Sequence, residues 1–185
     1  MQLSEAIYAR RATRKYTSDP MDDALLGSLI DAAIQAPSAM DREPWSFCVV
    51  RDQEKLTHIS NEAKAHMLRT TVAGLASHHF EETLGKADFH IFYHAPALVL
   101  ISATDDAHWG VIDCALAAQN LMLAATGAGL GTCWIGFAEG WLATRDGKAF
   151  LGLPDEYTPV APIIVGRPAS KPAPVARRKP EIRWI

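Results

Sequence analysis

Four cations crowd six residues near the start of the chain: Arg10, Arg11, Arg14 and Lys15. Guanidinium forks this close together suit a phosphate dianion, which arginine grips through paired N–H groups. Six more cations (Arg167, Lys171, Arg177, Arg178, Lys179 and Arg183) lie in the last 19 residues against one acid, Glu181. The rest of the chain holds 8 basic and 20 acidic residues, a net of −12. An acidic body with two basic ends points to local anion binding, or to ends that are solvated or rest on acidic patches of the same protein. It disfavours a nucleic-acid surface, because such a body repels a phosphate backbone.

Other chemistry is thinly represented. Gly127-Ala-Gly129-Leu-Gly131 resembles a dinucleotide loop in composition only. A Rossmann fingerprint runs strand, glycines, helix, so that the helix N-terminus meets the pyrophosphate. Here the glycines follow a helical pattern and precede a strand, which reads as a helix stop. The sequence has no Gly-x-x-x-x-Gly-Lys-Ser/Thr loop and no Gly-x-Ser-x-Gly elbow. His90 and His94 are four apart and His78 adjoins His79, with only Glu81, Glu82 and Asp88 near enough to help. They read as ordinary polar positions, and no metal site is expected. Cys133 reads as a buried, inert thiol. What remains is cations, a Pro-Ser turn, a Trp-bearing strand and an apolar helix. That set suits a bound cofactor that carries the chemistry itself.

The elements that must position these residues follow from periodicity. Leu3, Ala6, Ile7 and Arg10 mark a first helix to about Arg11, with a loop over 12–20. Asp22 caps a second helix with the stripe Leu25, Leu26, Leu29, Ile30, Ala33 and Ile34, ended by Pro37. Trp45–Val50 reads as a buried strand. Asp52 caps a third helix carrying Leu56 and Ile59. A diffuse helical pattern then runs from Asn61 to Gly85, read as a lid. Pro96 opens a strand through Ala103. His108–Thr126 is apolar on most sides and reads as the central buried helix. Thr132–Phe137 is a third strand and Trp141–Leu151 a short helix. Thr158–Val165 is a fourth strand, whose Pro159 and Pro162 suit an edge or a bulge. The basic, Pro-rich tail ends in Ile182, Trp184 and Ile185, apolar residues that want cover.

With 185 residues, 49% of them hydrophobic and 21% charged, the chain has the composition of one globular domain. No apolar run approaches the 18 residues of a membrane span, and residues 1–15 lack the apolar centre of a secretory signal. Three widely spaced cysteines (Cys48, Cys114 and Cys133) fit reduced thiols in a cytoplasm.

Three segments together resemble the FMN-dependent nitroreductase family. Ile7-Tyr-Ala-Arg10-Arg11-Ala12-Thr13-Arg14-Lys15-Tyr16 is similar to the family's Arg-Arg-Ser-x-Arg-x-Phe signature. Ala36-Pro37-Ser38-Ala39-Met40-Asp41-Arg42-Glu43-Pro44-Trp45 resembles its Ala-Pro-Ser-x-x-Asn-x-Gln-Pro-Trp. Ala118-Gln119-Asn120-Leu121, followed by Gly129-Leu-Gly131-Thr132-Cys133-Trp134-Ile135-Gly136, resembles the family's core helix and next strand. The order and spacing of the three, more than any one alone, carry the likeness over nearly the whole chain.

That resemblance implies an α+β, nitroreductase-like fold: a central, mostly antiparallel sheet flanked by helices and completed by the partner's C-terminal strand. It implies an FMN-binding domain over 1–166, a basic extension over 167–185 wrapping the partner subunit, and a homodimer with FMN at its interface. Arg10 and Arg11 match positions at the FMN phosphate, where the family's Ser is Ala12 here. Arg14 matches the cation at the flavin pyrimidine edge. Pro37, Ser38 and Ala39 match a turn that reaches across the interface to the ring. Trp134, Ile135 and Gly136 match the strand end beside the hydride-accepting nitrogen, and Arg178 or its neighbour Arg177 matches the tail cation on the phosphate. Asp41 and Glu43 replace the family's Asn and Gln, exchanging donors for acceptors. The change implies a lost, protonated or Arg42-turned contact at the ring edge, with lower flavin affinity or a shifted substrate preference; the plainer alternative is that both pair with nearby arginines.

The expected activity is ping-pong hydride transfer from NADH or NADPH, through FMN, to a small acceptor such as a nitroaromatic or quinone, with no catalytic side chain and no metal. Alternatives are a flavin-destroying or dehalogenating variant of the same scaffold, and a non-enzymatic flavin-binding or basic-tailed regulatory module. No membrane or nucleic-acid partner is expected.

Overall fold

The structure, a computed structural model, describes residues 1–70, 83–86, 88–105 and 108–185. Of the expected lid over Asn61–Gly85, residues 61–70 continue the helix that begins at Gln53, and 71–82 lie outside the described residues.

Four strands form one antiparallel sheet in the order β1-β2-β4-β3, with β1 at Trp45–Val50, β2 at Ala97–Ala103, β3 at Gly131–Trp134 and β4 at Thr158–Gly166. The expected antiparallel sheet is therefore present. Strand β2 is buried at every residue, as its unbroken apolar sequence requires of a strand covered on both faces. Ala97, Val99 and Ile101 face one helical layer, and Leu98 and Leu100 face the other. The first layer holds α2 (Asp23–Ala33) and α4 (His108–Gly127). The second holds α3 (Gln53–Thr70) and α5 (Glu139–Leu142). Helix α1 (Leu3–Ala9) packs on α4, and α6 (Arg145–Leu151) on α5. Caps act where the sequence places them: Asp22 accepts from Leu25 N at 2.6 Å, and Asp52 from Glu54 N and Lys55 N at 2.9 and 3.1 Å.

Three expectations change, and one alternative is decided. Strand β1 is a half-buried edge, not a buried strand. Strand β4 is central despite its prolines. The bulge expected as the alternative to an edge is present, between the Ile101–Ala161 and Ser102–Pro159 pairs. Pro162 needs no partner for the N–H it lacks, because its side of the strand faces the end of β3. Helix α4 is buried along one face only; Trp109, Val111 and Leu116 are exposed. The helix expected over Trp141–Leu151 is two, divided where the Thr144 side chain caps α6 through Gly147 N at 3.1 Å.

Helix α4 stops in a Schellman turn. Leu130 N reaches Ala125 O at 2.8 Å, Gly129 N reaches Thr126 O at 3.1 Å, and Gly129 sits at φ +75°. The glycine cluster therefore closes a helix, as its order in the chain requires, and delivers the backbone directly into β3.

Candidate active site

The Arg10–Arg14 segment is fastened along the free edge of β3. Ala12 forms an isolated parallel bridge with Thr132, and Thr13 N donates to Thr132 O at 2.9 Å. Thr13 is buried and lies over Gly131, where even a β-carbon would meet its side chain at 2.6–2.7 Å. Tyr16 locks the same loop, its hydroxyl donating to Thr13 O at 2.7 Å. Burial raises the Tyr16 pKa well above the usual phenol range. The segment's cations thus stand beside the third strand. Burial raises the Cys133 thiol, and the charges of Arg14 and Arg10 oppose that rise. Cys133 is buried, as expected of it.

The strand itself ends where Pro162 ends it. The N–H and C=O of a strand residue point to the same side. Pro162 O accepts from Ile135 N at 2.8 Å, but Pro162 has no N–H to return. The ladder stops at Trp134–Ile163, and Gly136 begins a short 3-10 turn instead of the expected continuation to Phe137. Trp134 is fixed by its indole N–H, which donates to Glu139 Oε1 at 2.6 Å. Ile135 is buried and Gly136 is exposed, so the strand end turns a bare backbone edge outward.

The Pro37–Asp41 turn lies elsewhere. Ala39 N donates to both Asp113 carboxylate oxygens at 3.2 Å, and Ser38 Oγ accepts from Glu43 N at 3.0 Å. Met40, Asp41 and Glu43 all take positive φ, at 57°, 51° and 48°. A tight turn of three strained non-glycine residues persists only where its surroundings over-determine it. Asp113, 2% exposed, is one such support. Cys114 Sγ on Pro44 O at 3.8 Å is another, and burial pushes that thiol up to about 12. Met40 projects outward, 92% exposed. Arg42 pairs with Asp105 at 2.8 Å. Among the described ion pairs, then, neither Asp41 nor Glu43 takes an arginine partner, the plainer of the two outcomes weighed for them; both residues lie exposed.

Helix α4 separates the two groups. The turn leans on Asp113 near its start, while the Arg10–Gly131 cleft is lined by Thr126 near its end. Thirteen residues of helix put them about 20 Å apart along its axis. One chain does not bring Pro37, Ser38 and Ala39 to Arg10, Arg11 and Arg14. Arg177 and Arg178 stand apart too, exposed on an extended tail. Its last described backbone tie to the body is Ala169 N on Lys15 O at 3.0 Å.

A cleft of ≈ 630 Å³ opens between Arg10, Arg11, Gly131 and Lys171, and a hollow of ≈ 280 Å³ adjoins it between Arg11, Arg14, Lys15 and Val175. Arg11 Nη1 is used on Tyr8 O and Arg10 O at 2.8 and 2.7 Å, while its buried Nε has no partner among the described residues. A cationic cleft with an unpartnered guanidinium nitrogen fits the phosphate end of a flavin nucleotide. Ala12 supplies no hydroxyl there, so the donors are guanidinium and backbone.

The family model described as Nitroreductase family matches residues 7–167. The chain belongs to this family. A protein of Methanothermobacter thermautotrophicus with the provisional name NADH dehydrogenase/NAD(P)H nitroreductase is 29% identical over 176 residues, covering 93% of this chain and 80% of its own. The Bacillus subtilis FMN reductase [NAD(P)H] is 25% identical over 175 residues, covering 93% of this chain and 68% of its own. A Bacteroides fragilis nitroreductase solved with bound FMN superposes with a TM-score of 0.82 at 27% identity, covering 100% of this chain and 99% of its own.

Two supports of this nitroreductase site went unread in the sequence. Asp113 is the sole acid in the apolar helix His108–Gly127, and an acid kept at a buried helical position was the available signal. Glu139, which fixes Trp134, lies five residues downstream across a turn, where no periodicity marks it.

Proposed function

We propose that this chain is an FMN-dependent NAD(P)H oxidoreductase acting on small electron-poor acceptors of the nitroaromatic or quinone kind. When bound, FMN supplies the redox chemistry, taking hydride from the nicotinamide and passing two electrons to the acceptor in alternation. The observation that carries the reading is the parallel bridge of Ala12 to Thr132, which sets the Arg10–Arg14 cations beside the Trp134–Gly136 strand end.

The residues then divide the work. Arg10 and Arg11 hold the phosphate. Arg14 offers its charge to the pyrimidine edge, where it offsets the negative charge that reduction brings. The exposed backbone at Gly136, next to a Trp134 fixed by Glu139, admits the ring edge without side-chain interference. No described side chain is needed as acid or base.

Completion of the site falls to a second copy. The Pro37–Ala39 turn and the Arg10–Arg14 loop sit at opposite ends of α4, so both reach one ring only if the turn comes from the partner. The exposed apolar residues Trp109, Val111 and Leu116 on α4, and Leu3, Ile7 and Tyr8 on α1, give that partner a surface to cover. The tail over 167–185, with Trp184 89% exposed, is the segment that wraps it and brings Arg177 or Arg178 to the phosphate. Residues 1–166 with this tail form one domain. The three free cysteines support a reducing cytoplasm, and none of the described helices is long and apolar enough to cross a membrane.

The test is a visible spectrum of the purified protein, then anaerobic addition of NADPH or NADH. Flavin bands that bleach with either donor, and return on adding a quinone or nitroaromatic, are expected. A protein that takes up no FMN would refute the reading.

A further inference from the structure

Among the described ion pairs Arg14 has no carboxylate partner. Its described contact is aromatic: the guanidinium carbon lies 5.9 Å from the centroid of the Tyr93 ring. Tyr93 and the next residue, His94, stand at φ +51° and +53°. A bulky side chain rarely takes this backbone conformation, and strain of this kind gathers where function uses it.

The surroundings hold the strained turn in place. Phe89 meets the Tyr93 ring edge-on at 5.9 Å and 80°. Tyr93 N donates to His90 O at 2.8 Å, and Ala95 N to Phe92 O at 2.9 Å. From below, α3 contributes two buried polar side chains. Lys64 Nζ donates to Phe89 O at 2.7 Å, and Ser60 Oγ accepts from Ile91 N at 3.1 Å. A buried lysine held by carbonyls is a costly anchor for a mere connecting loop.

The chemistry of the contact gives it a purpose. A carboxylate beside Arg14 would fix its direction, but would also neutralise its charge and occupy its donors. An aromatic face holds a guanidinium through the ring quadrupole and leaves charge and in-plane N–H groups free. We infer that Tyr93 is a positioning residue for Arg14, aiming an uncancelled guanidinium at the pyrimidine edge of the flavin. The inference rests on the FMN reading above.

A double-mutant cycle tests it. FMN dissociation constants are measured by fluorescence on apo-protein for the parent, Tyr93→Leu, Arg14→Ala and the double variant, with thermal melts of each. Tyr93→Leu should weaken FMN binding about two- to fivefold and lower the flavin midpoint potential, from the ordinary strength of such contacts. Tyr93→Phe, which keeps the ring, should match the parent. In the Arg14→Ala background Tyr93→Leu should change nothing further. Tyr93→Met, which refills the volume without a π face, takes its place if the Leu variant is unfolded at the assay temperature. Equal losses in both backgrounds, or a Phe variant as weak as Leu, would overturn the positioning role and leave the function standing. A parent that binds no FMN would instead overturn the function, and this role with it.

Discussion

Gly131→Ala is the sharpest probe of how the cation loop is placed. Gly131 sits at an ordinary negative φ, so alanine brings no backbone strain and its effect is purely steric. A β-carbon there would lie 2.6 Å from Thr13 Oγ1, 2.7 Å from its Cβ and 2.7 Å from its Cγ2. Because the Thr13 β-carbon is itself too close, no rotamer relieves the clash. Ordinary carbon contacts need about 3.5–4.0 Å, so Thr13 must retreat from β3 by about 1 Å. That retreat pulls on the 2.9 Å bond from Thr13 N to Thr132 O and carries Arg14, the next residue, with it. Overpacking of this kind costs about 1–3 kcal/mol. A 1 Å displacement of a group that orients the reacting centre costs up to about 100-fold in rate. Urea unfolding should show the lower midpoint. Rapid-mixing measurement of flavin reduction by NAD(P)H should show the slower rate, with weaker FMN binding. Adding Thr13→Gly removes the opposing β-carbon and should restore FMN affinity, though not all of the stability, because glycine at 13 adds chain entropy. If Gly131→Ala matched the parent in midpoint, affinity and rate, the contact would not be what holds the loop.

Three further outcomes follow from the same geometry. Asp113→Ala removes the buried acceptor of Ala39 N and should cost about 1–3 kcal/mol by urea unfolding, with Asp113→Asn costing less; a parent-like Ala variant would show the turn to be held otherwise. His90 is lowered from 6.5 to about 4, first by burial, then by the neighbouring charges of His94 and Lys64. Between those values the unfolded chain binds a proton that the folded chain refuses, so stability should fall as pH drops from 6.5 towards 4. Urea midpoints across that range should fall less in His90→Gln than in the parent, and equal declines would assign the pH dependence to other groups. Deleting residues 175–185 should shift the protein towards monomer in sedimentation and lower its FMN occupancy; an unchanged dimer with full flavin would remove the tail from both roles.

What was legible in the sequence was local or periodic. Asp22 and Asp52 announced their caps, the apolar run Leu98–Ile101 announced a strand, and the glycines after Thr126 announced a helix stop. Sheet order is long-range, and no local pattern gives it. Pro159 and Pro162 suited an edge or a bulge: β4 is central, a bulge lies between its Ala161 and Pro159, and Pro162 turns the side without an N–H towards the end of β3, where only its carbonyl is used, by Ile135 N. The cations of the Arg10–Arg14 segment stand out in the sequence, but their attachment to β3 needs Gly131 and Thr13, 118 positions apart in sequence, to be neighbours. Tyr93 and Asp113 have no motif at all. Each matters through one contact with a residue far away in the chain.

Helix α4 ties these pieces into one mechanical argument. It is apolar on most sides, which reads as a central buried helix, yet only one face is covered here. Its start holds the strained turn through Asp113, and its end delivers Gly131 to the cation loop through the Schellman turn at Gly129. A rigid rod of about 20 Å therefore fixes the distance between the turn and the cation loop, which do not meet within one chain. Two such rods packed antiparallel by their exposed apolar faces would set the turn of each chain against the cation loop of the other. The residues Trp109, Val111 and Leu116, surplus to a monomer's core, are then the ones that bring the halves together. Charged substitutions there, far from Arg14 in the same chain, should release FMN and the dimer in parallel.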